Sequence, residues 1–163
     1  MKIHDRFAQS LEQEIEAIQR GLAVAEEVRT NIFDHDWDGL SENLEKLHNV
    51  SEEIAGIEEE RDSLFRQLKE QLSMPEGTGF YAVAVRLPEE TSERLSERYR
   101  TLKQTVLRFQ GVMWSIDAYT RTMSSTFQEV LYAFYPHKRG TMYERSGRKR
   151  NTENDPLVVN KRL

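Results

Sequence analysis

The fold of this chain is decided by residues 95–134, which read LSERYRTLKQTVLRFQGVMWSIDAYTRTMSSTFQEVLYAF. Within this stretch a series of positions recurs at alternating intervals of four and three residues, and Thr120 is its only polar member. A spacing that averages 3.5 keeps one side of a helix turned toward a neighbouring helix, as in left-handed coiled coils. We call this series the apolar stripe: Leu95, Tyr99, Leu102, Val106, Phe109, Met113, Ile116, Thr120, Met123, Phe127, Val130 and Phe134.

The stripe predicts a long helix over Thr91–Phe134. At about 1.5 Å per residue this helix is roughly 65 Å long, so one small globule cannot cover it. Beyond Gly111, further apolar side chains lie off the stripe, and a wider apolar face needs more than one covering helix. We therefore predict an elongated bundle whose wide end packs inside the chain, forms a dimer or accepts a foreign helix.

Two more helices are predicted before the long one. The first runs from about His4 to Thr30, and Val28 replaces Arg29 in its apolar register. Gly21 costs roughly 1 kcal/mol in a helix interior relative to alanine, so we expect close packing or a bend there. A turn follows over Asn31–Gly39. The second helix continues to about Leu72, with an inner face of Leu40, Leu44, Leu47, Val50, Ile54, Ile57, Leu64 and Leu68.

The short turn makes the first two helices an antiparallel hairpin. The predicted fold class is all-α: an elongated, coiled-coil-like antiparallel bundle of three long helices with a flexible C-terminal tail. The segment Phe80–Val85 looks like a strand, but the chain offers no second strand to pair with it. We expect it to cover the apolar end of the bundle in an extended form, or to pair with a copy of itself.

The charge distribution separates the body of the chain from its end. Residues 138–163 hold eight Lys or Arg and three acids, whereas residues 1–137 hold 15 and 25. We predict a helical bundle domain over residues 1–136 and a basic, disordered tail over residues 137–163 that contacts a partner. The acidic body argues against nucleic acid as that partner.

The composition excludes several classes of protein. There is no cysteine among the 163 residues, so disulfides and thiolate chemistry are excluded. No apolar run, Phe80–Val85 included, is longer than six residues, which is too short to cross a bilayer, and the N-terminus lacks the apolar core of a signal peptide. These features predict a cytoplasmic protein without membrane insertion. No histidine pair, nucleophile setting or phosphate loop is present, which argues against an enzyme and against a cofactor.

One motif matches a calcium-binding loop. Asp34, Asp36 and Asp38 are followed by Gly39 and then by Glu45, as in the acid, glycine and glutamate positions of such loops. However, Ser41 occupies a position that is normally apolar, and helix spacing suggests that the second helix begins near Asp36 or Asp38. The same residues are also expected if the aspartates cap the start of the second helix. Calcium binding is the less favoured interpretation.

The tail contains the sequence Tyr143-Glu-Arg-Ser-Gly147-Arg148. Together with the helical hairpin, the connector and the long third helix, it resembles the FlgN family of flagellar type III export chaperones over about residues 7–150. The resemblance implies a small, acidic, cytoplasmic chaperone that binds hook-associated (hook-filament junction) proteins before export, mainly through its C-terminal region. It brings no catalytic residues and no cofactor.

The predicted partner-binding residues are apolar anchors at the end of the long helix and residues of the tail. Tail arginines would steer acidic clients toward these anchors. Export-apparatus components are further expected partners, and a homodimer is an open possibility. The alternatives are a coiled-coil assembly protein without chaperone activity and a calcium-responsive helical protein. The partner-binding residues are Phe127, Leu131, Phe134, Tyr135, Met142, Tyr143, Gly147 and Arg148.

Overall fold

A computed structural model of the chain describes residues 2–134. In this part all regular elements are helices: α1 Ile3–Asp34, α2 Trp37–Gln71, α3 Phe80–Ala84 and α4 Glu89–Phe134. The all-α prediction with three long helices is confirmed. The chain divides into two compact units, Met1–Ala118 and Tyr119–Leu163. Within residues 2–134, no helix is long and apolar enough to cross a membrane.

Helices α1 and α2 form the predicted antiparallel hairpin. Glu14 of α1 pairs with Arg61 of α2, and Arg20 of α1 pairs with Glu53 of α2. A later residue of α1 therefore contacts an earlier residue of α2, so the two helices run in opposite directions. The start of α4 runs in the direction of α1, because Arg94 pairs with Asp5 and Arg98 with Glu12. Helix α4 therefore begins antiparallel to α2.

The turn between α1 and α2 is much shorter than the predicted Asn31–Gly39. Asn31 to Asp34 belong to α1, and α2 begins at Trp37. His35 adopts the left-handed conformation with φ of 58°, and its backbone N–H reaches the carbonyls of Asn31 and Ile32. Since the next residue, Asp36, already caps α2, two residues reverse the chain.

The core of the first unit consists of two apolar clusters. The larger joins all four helices through buried residues that include Leu11 of α1, Leu68 of α2, Val83 of α3 and Leu95 of α4. The smaller centres on buried residues of α1 and α2 and is covered by Val112, Met113 and Ile116 of α4. The first half of the apolar stripe is thus part of the core, as its spacing predicts.

Some positions differ from the predicted inner faces. Val28 is buried and replaces Arg29, as expected. Leu44 was predicted to face inward, but 48% of its surface is exposed. Asn43 is buried in its place, because its side-chain amide donates to Asn31 Oδ1 at 2.8 Å across the hairpin. One residue along a helix is a rotation of about 100°, so Leu44 is turned away from the core.

The connector contains the segment that was expected to be extended. Phe80–Ala84 is instead a short helix that begins after Gly79. Phe80, Val83 and Ala84 are buried, whereas Val85 is exposed. The extended form is wrong because an isolated strand has no partner for its backbone groups, and a helical turn satisfies them locally. The prediction that this segment covers the apolar end of the bundle is confirmed.

Gly21 lies where the three long helices approach one another. A Cβ atom at this position would be 3.3 Å from Val50 Cγ1, 3.4 Å from Phe109 Cε2 and 3.5 Å from Ile54 Cδ1. The close packing expected around this glycine is therefore confirmed.

Candidate partner-binding surface

The apolar stripe changes from buried to exposed along α4. Leu95 and Leu102 are buried, and Val106 and Phe109 are half-buried. From residue 120 onward every α4 residue whose side chain is described is exposed. The exposed fractions of the large apolar side chains are 47% for Met123, 64% for Phe127, 45% for Val130 and 42% for Leu131.

These four residues form what we call the α4 face: Met123, Phe127, Val130 and Leu131. Their spacing of four, three and one places them on one side of the helix, over about two turns. Grouped exposed apolar side chains of this size are typical of interaction sites, whereas single exposed leucines are ordinary. The arrangement can pack against one amphipathic helix.

A segment with weak intrinsic helix propensity leads into the α4 face and contains its first residue, Met123. Residues 120–126 read TRTMSST, which is five Ser or Thr residues in seven. Threonine loses side-chain freedom in a helix, and hydroxyl side chains compete for backbone hydrogen bonds. Helix formation here depends more than usual on packing, so a bound helix would stabilise it.

The predicted site residues fall into two groups. Phe127 and Leu131 lie on the α4 face. Phe134 is the last residue of α4, and its side chain is outside the described part of the structure. The remaining predicted residues also lie outside the described residues, and they stay predictions: Tyr135, Met142, Tyr143, Gly147 and Arg148.

In the calcium-like motif, Asp36 forms the N-terminal cap of helix α2. Asp36 is the N-cap of α2, and its Oδ1 accepts from the Gly39 backbone N–H at 3.0 Å. Its Oδ2 accepts from Asn31 Nδ2 at 3.1 Å, and Asn31 Oδ1 in turn accepts from Asn43. A side chain at Gly39 would overlap the Asp36 carboxylate. The glycine thus makes room for the cap.

Helix α2 begins inside the motif, as the spacing of its leucines predicted. Asp34 ends α1, and Glu45 is exposed on α2. Among residues 2–134, no group of three or more His, Asp or Glu side chains is placed to hold a metal ion. Sequence reasoning missed Asn31 and Asn43, which were not assigned to the inner faces. Asn43 lies three residues after Leu40 and four before Leu47, and this helical spacing was a usable signal.

A buried ion pair joins the hairpin helices. Glu14 is buried, and its Oε1 accepts from Arg61 Nη1 at 3.0 Å. No hydrogen-bond donor among the described residues reaches Glu14 Oε2. Burial raises the pKa of the Glu14 carboxyl, and the nearby Arg61 charge opposes that shift. Sequence reasoning missed this pair, although Glu14 lies three residues after Leu11 and four before Ile18, on the inner face of α1.

Comparison with known proteins identifies one family. A sequence model of the FlgN family, described as FlgN protein, matches residues 1–151. No curated protein and no solved structure matches the chain.

Proposed function

The chain belongs to the FlgN family of flagellar export chaperones, and on this premise we propose that it binds hook-associated proteins in the cytoplasm. It prevents their premature assembly and delivers them to the type III export apparatus. It acts by binding alone, without a cofactor and without catalysis. The observation that carries this proposal is the α4 face, a group of large apolar side chains exposed on one side of a helix.

The proposed client contact is an amphipathic helix laid along the α4 face. Fully burying one large apolar side chain is worth roughly 1.5–3 kcal/mol, so four half-exposed side chains offer only part of that amount each. The net affinity is lower still, because association and the ordering of α4 both cost free energy. Binding of this strength protects a client and still permits its release.

The tail is proposed to extend this contact. Met142 and Tyr143 supply apolar anchors amid basic residues, and Gly147 and Arg148 belong to the motif that resembles the family. Clients with acidic segments would approach faster because of the tail charges. Tyr143→Ala should therefore raise the dissociation rate, whereas Lys149→Ala should mainly lower the association rate, and less so at high salt.

A coiled-coil assembly protein is the second candidate, and the 3.5-residue spacing of the α4 face favours it. The same face would then pack against a second copy of this chain. The molar mass in solution distinguishes the two candidates. A chaperone that is free to bind clients is monomeric at micromolar concentration, whereas an assembly protein is dimeric and loses its dimer on Phe127→Ser.

The decisive test is co-purification with tagged hook-associated proteins from the same organism. Phe127→Ser should abolish recovery of a client. Leu107→Ser is the matched control, because Leu107 and Phe127 are each 64% exposed on α4 but Leu107 is off the stripe. Equal loss with both variants would indicate general hydrophobic adhesion. Full recovery with Phe127→Ser would exclude the α4 face as the client site.

A further inference from the structure

A second group of exposed apolar residues lies on the part of α4 that belongs to the first unit. Leu107 and Trp114 are 64% and 68% exposed, and Gly111 and Ala118 are exposed beside them. We call these four residues the Trp114 face. Their spacing of four, three and four keeps them on one side of the helix. Gly111 is nine residues after the buried Leu102, a rotation of about 180°, so the Trp114 face is opposite the core.

The glycine of this face has open space around it. A Cβ atom at Gly111 would meet no atom within 4 Å, whereas one at Gly21 would touch three side chains. Glycine destabilises a helix interior relative to alanine, and the packing of the described residues gives no reason for it at position 111. On an exposed apolar face, a missing side chain makes room for the close approach of another helix.

Large and small residues alternate along the Trp114 face, and this order is self-complementary. When two copies of the helix pair antiparallel about the midpoint of the face, Leu107 lies level with Ala118 of the second copy, and Gly111 lies level with Trp114. Every large side chain then meets a small residue. Such a pair has two-fold symmetry, as most homodimers do. The occupant that this pattern fits is therefore a second copy of the same chain.

A parallel pair of the same helices fits less well. Trp114 would meet Trp114 and Gly111 would meet Gly111, which produces a clash at one level and a gap at the next. Lys103 would also lie beside Arg108 of the second copy, where like charges repel. The antiparallel pair places Ser115 beside Arg108 instead. Side-chain size and charge thus both favour the antiparallel arrangement.

We propose that the Trp114 face forms an antiparallel homodimer in which Trp114 of each copy lies over Gly111 of the other. The contact covers about three helical turns per copy, so its area is well below the roughly 1,600 Å² of a typical stable complex. The dimer is therefore weak, with a dissociation constant on the order of 100 µM, and the chain is monomeric at micromolar concentration. This interface goes beyond the proposed function, because it shares no residue with the α4 face.

Sedimentation equilibrium of the full chain, from about 10 to about 500 µM, tests the proposal. The average molar mass should rise from that of a monomer toward that of a dimer. Trp114→Ser should weaken association at least about tenfold. Trp37→Ser is the matched control, because Trp37 is 62% exposed on α2, and it should leave association unchanged. Phe127→Ser should also leave it unchanged, which separates this dimer from one formed through the α4 face. A monomer at about 500 µM, or equal losses with Trp114→Ser and Trp37→Ser, would overturn the proposal.

Exchange of the two central residues tests the alternation itself. Gly111→Trp alone sets two tryptophans against each other, and Trp114→Gly alone sets two glycines against each other, so each should weaken association at least about tenfold. The double variant again has a large residue opposite a small one, and it should recover the parent association within about threefold. Both positions are exposed, so the changes leave the core intact. A double variant as weak as the single ones would contradict the proposed contact.

The orientation can be measured directly because the chain has no cysteine. A mixture of Leu107→Cys and Ala118→Cys should form a disulfide between the two variants on oxidation, since these positions are level in the antiparallel pair. Leu107→Cys alone should form little disulfide, because the same position lies about 16 Å further along the second copy. Faster disulfide formation by Leu107→Cys alone than by the mixture would indicate a parallel pair and overturn the proposal.

Discussion

Removing Arg61 should destabilise the protein far more than removing an exposed arginine. Glu14 is buried, and Arg61 donates the hydrogen bond that its carboxylate accepts at 3.0 Å. Arg61→Met keeps much of the apolar stem but leaves a buried carboxylate without its cation. Breaking a buried ion pair in this way typically costs about 3–5 kcal/mol. Arg20→Met is the control, because Arg20 and Glu53 are both half-exposed, and such pairs contribute about 0.2–1 kcal/mol.

The cost of Arg61→Met should also depend on pH, with a sign fixed by Glu14. The pKa of Glu14 is raised in the folded state, mainly by burial. Its contribution to stability is therefore fully present below the unfolded pKa and is lost as pH rises through the folded pKa. Without Arg61 that folded pKa rises further. The variant should consequently lose much less stability at about pH 4.5 than at about pH 7.5. At the higher pH the unfolded state has an ionised Glu14, whereas the folded variant must bury either that charge or a bound proton at a cost in free energy.

Urea unfolding followed by far-UV circular dichroism measures both effects. The comparison is the difference between variant and parent at each pH, so that other carboxylates cancel. The double variant Glu14→Leu with Arg61→Met should recover most of the lost stability, because an apolar pair of similar volume often replaces a buried ion pair without loss. The reasoning is refuted if Arg61→Met costs no more than Arg20→Met, or if its cost is the same at both pH values.

Three further predictions follow from the helices, the cap and the tail. Gly56→Ala should stabilise the protein by about 1 kcal/mol, because a Cβ there meets nothing within 4 Å. Gly21→Ala should gain less stability or lose some, because its Cβ would lie against three side chains. Thermal melts of the two variants provide the comparison. Asp36→Ala should cost about 1 kcal/mol through loss of the α2 cap, and titration calorimetry of the parent should show no calcium binding at micromolar concentration. Deleting residues 137–163 should abolish client binding and leave the melting temperature nearly unchanged, and a large drop in that temperature would contradict the predicted disorder of the tail.

The long helices were predictable because their apolar residues repeat with one period over many turns. One polar residue or glycine at an apolar position does not remove that period, so Arg29 and Gly21 did not change the prediction of the first helix. The turn was less predictable, because its length depends on one left-handed residue, His35, and one cap, Asp36. Composition shows that a turn is present but not that two residues suffice to make it.

The polar contacts inside the bundle were harder to infer. Asn43 and Glu14 are buried because each finds a partner on the other helix of the hairpin. Helical spacing is compatible with an inner position for both residues, but it does not reveal which distant side chain forms a hydrogen bond with each of them. The stacked ring pairs Phe7 with Phe65 and Phe80 with Tyr99 could not be foreseen for a related reason, since each pair joins two helices that only the packing brings together. The helical state of Phe80–Ala84 likewise reflects the absence of a strand partner among residues 2–134 rather than local propensity.

The candidate site illustrates what periodicity cannot distinguish. The apolar stripe has the same spacing at Leu95 as at Phe127, yet the first is buried and the second is exposed. A heptad pattern states only that a helix needs a neighbour, and it does not state whether the neighbour belongs to the same chain. The exposed part is also the part rich in serine and threonine, where helix formation draws most on packing. If the client is a helix laid on the α4 face, as proposed, part of the interaction free energy goes into stabilising this part of α4. Such a site releases its partner more readily than a rigid one of equal area, as the proposed chaperone role requires.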